Sequence, residues 1–223
     1  MRPGAVRSIK ATEATTTPPI GQLFKTRIMS ADHDSDPAAR RERLRAILKD
    51  QALITGRSVK LSSGGASSYY FNVKRPLFDP EAASLIGDAM LERLKADPPD
   101  LIGGMALGAV PIVAAVCVRS HPDMPLRGFF VRKEARTHGT GSLIEGYFHA
   151  GARVVLLEDV TTTGGSTLEA ARAVRAAGGE VAYAIVVIDR LEGAREALAA
   201  EGIDLIALFT RDDFSDADAP PPA

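Results

Sequence analysis

Short apolar runs alternate with amphipathic segments between residues 36 and 210, and this alternation predicts an α/β fold. Uninterrupted, β-branched runs are typical of strands that are buried on both faces of a parallel sheet. Apolar residues at i, i+3 and i+4 spacing indicate helices between them. The predicted strands are Val59–Leu61, Tyr69–Val73, Leu101–Gly104, Leu126–Val131, Val154–Leu157, Val181–Ile188 and Asp204–Phe209.

The predicted helices have recognisable start and stop signals. Asp79 precedes a Pro and is a natural N-cap, and Gly178 ends the helix that opens at Ser166. Ser166 and Glu169 have the spacing of a capping box. Strands alternating with helices predict a mainly parallel, twisted sheet with helices on both faces. The predicted helices start at Asp36 and Asp79 or span Ala109–Arg119, Ser166–Ala177 and Leu191–Ala200.

Both ends of the chain differ from this pattern. Residues 1–35 are basic, rich in Thr and Pro and without periodicity, so we expect a disordered extension, with Met29 as an alternative start. An organelle transit peptide has a similar composition and is the other interpretation. Residues 211–223 form an acidic tail that ends in Pro residues, and we expect disorder there as well. The globular domain is therefore predicted over residues 36–210.

Composition narrows the classes of function. The 223 residues carry 27 Lys and Arg against 28 Asp and Glu, a formal net charge of −1, which argues against a nucleic-acid partner. Met105–Val118 is the longest nearly apolar run and is too short to span a bilayer, so no membrane partner is expected. The lone Cys117 cannot form an intrachain disulfide, which fits a reducing, cytoplasmic setting.

The densest candidate chemistry lies in the sequence VVLLEDVTTTGGST at Val154–Thr167. A buried strand ends there in two adjacent carboxylates, Glu158 and Asp159, and a turn of Thr, Gly and Ser leads into a helix. Free backbone N–H groups and the positive dipole end of that helix favour an anion such as phosphate. Two acids beside a phosphate site indicate that ribose hydroxyls or a divalent cation also bind there.

Two common nucleotide motifs do not fit this segment. A Walker P-loop needs Gly-Lys-Ser/Thr and the turn has no Lys, while the Rossmann pattern G-x-G-x-x-G is absent. Acid–acid followed by a hydroxyl-rich turn at the end of a buried strand instead resembles the phosphoribosyl pyrophosphate (PRPP) motif of type I phosphoribosyltransferases. An ordinary strand–helix turn with capping acids is the alternative.

A second candidate segment, RKEARTHGTG at Arg132–Gly141, concentrates positive charge. Arg132, Lys133, Arg136 and His138 fall within seven residues, and the segment follows a strand, so it lies on the ligand-binding edge of the sheet. A polar loop with Gly at that edge is typical of a mobile lid, and its cations suit a pyrophosphate leaving group. Alone, it could equally be a solvated charged loop.

Several segments together resemble the orotate phosphoribosyltransferase family. The loop matches that family's pattern R-K-x-x-K-x-H-G, and LSSGGASSYYFN at Leu61–Asn72 is similar to its substrate hood. Ile144–Gly146 and the pair Asp189-Arg190 after a strand also match. The resemblance implies the type I phosphoribosyltransferase fold with a small N-terminal hood at about residues 53–78. It also implies transfer of a phosphoribosyl group from PRPP to orotate in pyrimidine biosynthesis.

Carried over by position, the resemblance implies specific roles. Lys133, Arg136 and His138 would be catalytic and, with Arg132, would hold the pyrophosphate. Orotate would contact Thr162, Arg190, Tyr70 and Phe71. Mg²⁺ would bind mainly through substrate with the two acids nearby, and the protein would be a homodimer that shares its catalytic loop between subunits. The remaining PRPP-binding positions would be Glu158, Asp159, Val160, Thr161, Thr162, Thr163, Gly164, Gly165 and Ser166.

Three positions depart from the family pattern. Arg136 replaces a Lys, and Arg is too basic to give up a proton near neutral pH. Gly108 and its neighbour offer only backbone N–H groups where some relatives carry a Lys, and Ser62 also stands where some carry Lys. Lys60 and Lys74 lie nearby without an assigned role. A phosphoribosyltransferase for a purine base and a non-catalytic nucleotide sensor remain the alternatives.

Overall fold

The computed structural model describes residues 36–60, 66–134 and 142–214. The strands are β1 (Leu53–Lys60), β2 (Ala66–Phe71), β3 (Leu101–Gly103), β4 (Arg127–Val131), β5 (Ile144–Gly146), β6 (Arg153–Thr161), β7 (Glu180–Asp189) and β8 (Asp204–Thr210). The helices are α1 (Pro37–Gln51), α2 (Lys74–Leu77), α3 (Pro80–Leu94), α4 (Ala109–Ser120), α5 (Gly165–Ala176) and α6 (Ala194–Ala199), followed by a 3₁₀ helix, Arg211–Phe214.

The main sheet has the strand order β5-β4-β3-β6-β7-β8. All its strands are parallel except the edge strand β5, which pairs antiparallel with β4. From β3 the chain first goes outward to β4 and later returns to β6 on the other side of β3. The gap between the carboxyl ends of β3 and β6 is therefore the topological switch point, where ligands of such sheets bind.

Helices cover both faces of this sheet, as the sequence predicted. Successive residues of β6 point to opposite faces, so Val155 and Leu157 join one buried cluster while Val154 and Leu156 join the other. The first cluster includes apolar residues of α1, α3 and α4, and the second those of α5 and α6. The predicted α/β class with a mainly parallel sheet is confirmed. No helix in the described ranges is long and apolar enough to cross a membrane.

A separate two-stranded antiparallel sheet, β1-β2, precedes the main sheet in the chain. Its register pairs Leu53 with Phe71 and Lys60 with Ala66. Both strands were predicted, but β1 starts earlier than Val59, because residues 53–55 also pair with β2 before an irregularity between Thr55 and Val59. Strand β2 ends at Phe71, short of the predicted Val73.

Strand β6 and helix α5 correct the predicted boundaries around the phosphate motif. The strand continues past Leu157 to Thr161, and Thr161 still pairs with Asp189 of β7, so the two acids belong to the strand itself. Helix α5 begins at Gly165 after Gly164, whose φ of 81° suits Gly. Gly164 is the N-cap and makes no side-chain cap bond, so the predicted capping box at Ser166 is wrong.

The C-terminal boundary also differs from the prediction. The expected tail from Arg211 opens with the 3₁₀ helix, and the buried ring of Phe214 lies 5.1 Å from that of Phe71 and 5.7 Å from that of Phe209. Those four residues therefore belong to the fold, because Phe214 closes one of the two cores. Helix α6 is shorter than predicted, since its N-cap Gly193 has a φ of 96°. The predicted extension, residues 1–35, lies outside the described residues.

Candidate active site

A polar cavity of about 290 Å³ lies at the carboxyl end of β6. Because α5 starts directly at its wall, the free N–H groups of the first turn of a 12-residue helix lie beside it. This composition suits a phosphate group. The cavity is lined by Lys133, Glu158, Val160, Thr161, Thr162, Thr163, Gly164, Gly165, Ser166 and Glu169.

The two adjacent acids of β6 are both buried, at 7% exposure each. The backbone N–H of Asp159 donates to Oε1 of Glu158 at 3.3 Å, and that of Val160 donates to Oδ1 of Asp159 at 2.9 Å. Oε2 of Glu158 is buried without a hydrogen-bond partner among the described residues. A buried oxygen without a hydrogen-bond donor costs free energy, so a ligand group that donates a hydrogen bond to Oε2 of Glu158 would be favoured here.

Burial, and then the negative charge of Asp159, raise the pKa of Glu158 well above its ordinary value. A negative charge beside a buried carboxyl group disfavours the ionised form of that group. Lys74 contacts the other acid of the pair, with its Nζ atom 3.0 Å from Oδ2 of Asp159.

Glu158→Gln is expected to make the melting temperature less dependent on pH. Between its ordinary pKa of 4.5 and its raised value, Glu158 binds more protons folded than unfolded, so the wild type loses stability as pH rises through that window. Gln does not titrate, so the variant should gain melting temperature relative to the wild type as the pH rises above 4.5. Thermal melts over that range test this, and a constant difference between the two proteins would contradict it.

Gly108 brings a second backbone segment against the acids. A Cβ built there would lie 2.6 Å from Oδ1 of Asp159 and 2.9 Å from Oε1 of Glu158, so no larger residue fits without moving them. Gly108 is the residue before α4, in the turn that follows β3. The turn after β3 therefore meets the carboxyl-end residues of β6 at the switch point.

The start of the cationic loop lies beside the same cavity. Lys133 is exposed and lines it, whereas Arg132 is partly buried and pairs with Glu145 of β5 at 3.4 Å. This ion pair connects Arg132, the first residue of the cationic loop, to the edge strand β5. The other two predicted loop residues, Arg136 and His138, lie outside the described residues.

The four residues expected to bind orotate differ in their burial and in whether they line the cavity. Thr162 is half-buried and lines the cavity, and Tyr70 is half-buried at the end of β2. Phe71 is packed in the core at 3% exposure, which leaves its backbone as the part that can reach a ligand. Arg190 is not among the lining residues.

Arg190 lies directly after β7 and is almost fully buried, at 1% exposure. Its Nη2 atom is 2.8 Å from Oε1 of Glu192, and its backbone N–H donates to the carbonyl of Thr161 at 3.0 Å. The second bond ties Arg190 to the strand that carries the phosphate motif. A buried guanidinium is paired in folded proteins, and here a carboxylate already occupies part of its planar fork.

Three of these contacts could not be predicted from the sequence. The Lys74–Asp159 pair joins residues 85 positions apart, and the Arg132–Glu145 and Arg190–Glu192 pairs depend on how loops fold back. For the turn at Gly108, by contrast, the sequence did indicate that only backbone N–H groups are available for contacts. The described part of the chain contains no cluster of three or more His, Cys, Asp or Glu side chains that could hold a metal ion.

Comparison with known proteins gives a consistent set of relatives, although no protein family model matches the chain. Orotate phosphoribosyltransferase of Bradyrhizobium sp. (strain ORS 278) is 42% identical over 185 residues, which cover 79% of this chain and 98% of that protein. Orotate phosphoribosyltransferase of Aquifex aeolicus (strain VF5) is 46% identical over 172 residues, covering 76% and 94%.

A solved structure supports the same similarity in three dimensions. Orotate phosphoribosyltransferase of Mycobacterium tuberculosis in complex with 5-phospho-alpha-D-ribosyl 1-diphosphate has a TM-score of 0.67 and 35% sequence identity. The match covers 78% of this chain and 98% of that one.

Proposed function

The chain belongs to the orotate phosphoribosyltransferase family, and from that premise we propose how its residues carry out the reaction. The enzyme transfers the 5-phosphoribosyl group of PRPP to orotate, which yields orotidine 5′-monophosphate and pyrophosphate in pyrimidine biosynthesis. The observation that carries the residue assignment is the cavity of about 290 Å³, which is lined by hydroxyl side chains, the first residues of α5 and the buried acid Glu158.

PRPP is held by the turn between β6 and α5. The 5-phosphate accepts hydrogen bonds from the hydroxyls and N–H groups of Thr161–Ser166, where the helix dipole adds favourable electrostatics. Glu158 and Asp159, at the entrance to that turn, bind the ribose hydroxyls. The buried unpartnered oxygen of Glu158 supports this role, because a hydroxyl donor would satisfy it.

The leaving pyrophosphate is stabilised by the cationic loop. Positive charge positioned where negative charge develops lowers the barrier, and the sugar acquires oxocarbenium character as the bond to pyrophosphate breaks. Lys133 lines the cavity and is the described member of this group. Arg136 and His138 are assigned to the same pyrophosphate-binding group because of their positions in the family motif. Arg136 supplies positive charge and does not donate a proton. A closed loop also keeps water from the sugar cation.

Orotate is recognised through its carboxylate, and Arg190 is the residue assigned to that group. Its carboxylate is the group that distinguishes it from uracil, and a planar guanidinium matches a carboxylate with two parallel hydrogen bonds. Thr162 lies between the phosphate turn and the base, and Tyr70 with the backbone of Phe71 forms a wall. The Glu192 carboxylate occupies one side of the Arg190 guanidinium, so orotate would use the remaining N–H donors or displace Glu192.

Mg²⁺ fits the donors at this site when most of its ligands come from PRPP. Mg²⁺ commonly binds through one or two carboxylates together with substrate phosphates. Glu158 and Asp159 lie beside the expected pyrophosphate and ribose oxygens, and Asp159 also contacts Lys74 at 3.0 Å. When bound, the ion neutralises charge on the pyrophosphate. Water exclusion, orientation and loop contacts come from the protein.

The assembly and location are part of the same proposal. We infer a homodimer in which the catalytic loop reaches the neighbouring active site, as the family resemblance implies, and a cytoplasmic location. The free, half-buried Cys117 is compatible with a reducing compartment.

Comparison of bases tests the assigned substrate. With PRPP and Mg²⁺ present, the protein is expected to consume orotate and to give negligible product with adenine or hypoxanthine, which lack the carboxylate that pairs with a guanidinium. Loss of orotate absorbance and chromatography of the nucleotide product measure this. Turnover of a purine at a rate similar to that of orotate would support the purine alternative, and no turnover of any base would support a nucleotide sensor.

A further inference from the structure

Lys74 connects the hood to the acid pair. It opens helix α2 shortly after strand β2, and its Nζ atom lies 3.0 Å from Oδ2 of Asp159 on β6. The Lys74 side chain is 51% exposed, whereas that of Asp159 is 9% exposed. A charge-assisted contact with one largely buried partner is better defined than a surface ion pair.

Lys74 is the single cationic side chain within the described ranges that forms a hydrogen bond with either acid of the pair. Burial alone would lower the pKa of Lys74, but the charge of Asp159 and the hydrogen bond to it outweigh this and raise that pKa. Lys74 is therefore charged at neutral pH. It offsets the negative charge of Asp159 in a site that must also accept the strongly anionic PRPP.

The contact also fixes the orientation of the Asp159 carboxylate. Oδ2 accepts from Lys74, and Oδ1 accepts from the N–H of Val160 at 2.9 Å. On the other side the backbone of Gly108 lies close to the carboxylate, because a Cβ built there would lie 2.6 Å from Oδ1. Each oxygen thus has one defined donor and retains a lone pair for a further one. Without Lys74, Oδ2 would lose its donor and the carboxylate its orientation.

We propose that Lys74 is a positioning residue, whose ammonium group holds the Asp159 carboxylate in the orientation that receives the ribose hydroxyls of PRPP. This inference rests on the proposed role of the acid pair in binding PRPP. It assigns the hood a second task besides contact with the base, since Lys74, a residue of the hood, orients the phosphoribosyl site. Lys74 acts through Asp159, not on the reacting atoms.

The test compares Lys74→Met, which keeps the length and removes the charge, with Lys74→Arg, which keeps the charge. Lys74→Met is expected to raise the KM and Kd for PRPP by about tenfold, because one charge-assisted contact is lost. The Kd for orotate and the melting temperature should change little, and Lys74→Arg should restore much of the PRPP affinity. Arg75→Met is the matched control, since the neighbouring Arg75 is exposed in the same helix.

A double-mutant cycle with Asp159→Asn distinguishes action through Asp159 from direct contact with PRPP. If Lys74 acts through Asp159, adding Lys74→Met to Asp159→Asn should change the Kd for PRPP less than about twofold. Independent, multiplying losses would overturn the proposal, as would wild-type PRPP affinity in Lys74→Met alone. An inactive wild type would instead overturn the assigned function, so the two failures are distinguishable.

Discussion

Lys133→Ala is expected to lower the turnover number by about 10²-fold or more, the effect of losing one preorganised charge at a site of charge development. Lys133 is exposed and lines the cavity, so removing it creates no void in either core. The melting temperature and the Kd for orotate should therefore stay close to those of the wild type. Steady-state kinetics and calorimetric titration measure these quantities.

Glu134→Ala is the matched control, because Glu134 is the next residue and is also exposed. It changes the same stretch of loop without removing positive charge, so its turnover should remain within a few-fold of the wild type. Near-normal turnover in Lys133→Ala would show that this lysine is a solvated surface charge. Equal losses in both variants would indicate that the backbone of the loop, not its charge, had been disturbed.

Mixing Lys133→Ala with Asp159→Asn tests whether the loop works in the neighbouring subunit. If it does, a mixed dimer contains one site with an intact loop and an intact acid pair, and about a quarter of wild-type activity should return. If each loop serves its own subunit, no site is complete and mixing restores nothing. Size-exclusion chromatography of the mixture establishes whether dimers are present and exchange.

The sequence predicted the architecture because the strands of a parallel sheet are buried on both faces and read as apolar runs. The predicted strand boundary was less accurate at β6, the strand that ends in the two acids. Glu158 and Asp159 interrupt the apolar run of β6, yet the strand continues to Thr161, because pairing with β7 outweighs the low strand propensity of the acids. The N-cap of α5 is Gly164 and not the predicted Ser166, because the turn requires a positive φ at that position.

The grouping of the residues around the cavity at the end of β6 could be predicted because they are contiguous, so a single turn brings them together. Contacts between distant segments could not be predicted in this way. Nothing local to Lys74 indicates that it meets Asp159, and nothing local to Phe71 indicates that its ring packs on Phe214. Such pairs depend on how the hood and the C-terminal 3₁₀ helix fold against the sheet.

Arg190 is the residue whose replacement should most alter the choice of substrate. It is 1% exposed and its guanidinium already pairs with a carboxylate, that of Glu192, at 2.8 Å. The bond from its backbone N–H to Thr161 fixes its position relative to the phosphate turn whatever its side chain is. Replacing the side chain should therefore change the recognition of the base while the PRPP site keeps its geometry.

Arg190→Ala is expected to raise the KM for orotate strongly, by a factor that corresponds to a loss of roughly 2–5 kcal/mol in binding free energy. The reason is that the orotate carboxylate loses a charged partner in a desolvated site. The KM for PRPP should change far less, and Arg190→Lys should recover only part of the loss, since it lacks the planar fork. Arg195→Ala is the control, because Arg195 donates to the backbone of β8 at 2.8 Å, outside the cavity. Equal losses for both substrates in Arg190→Ala would point to a structural role, since a group that recognises the orotate carboxylate must discriminate between the two substrates.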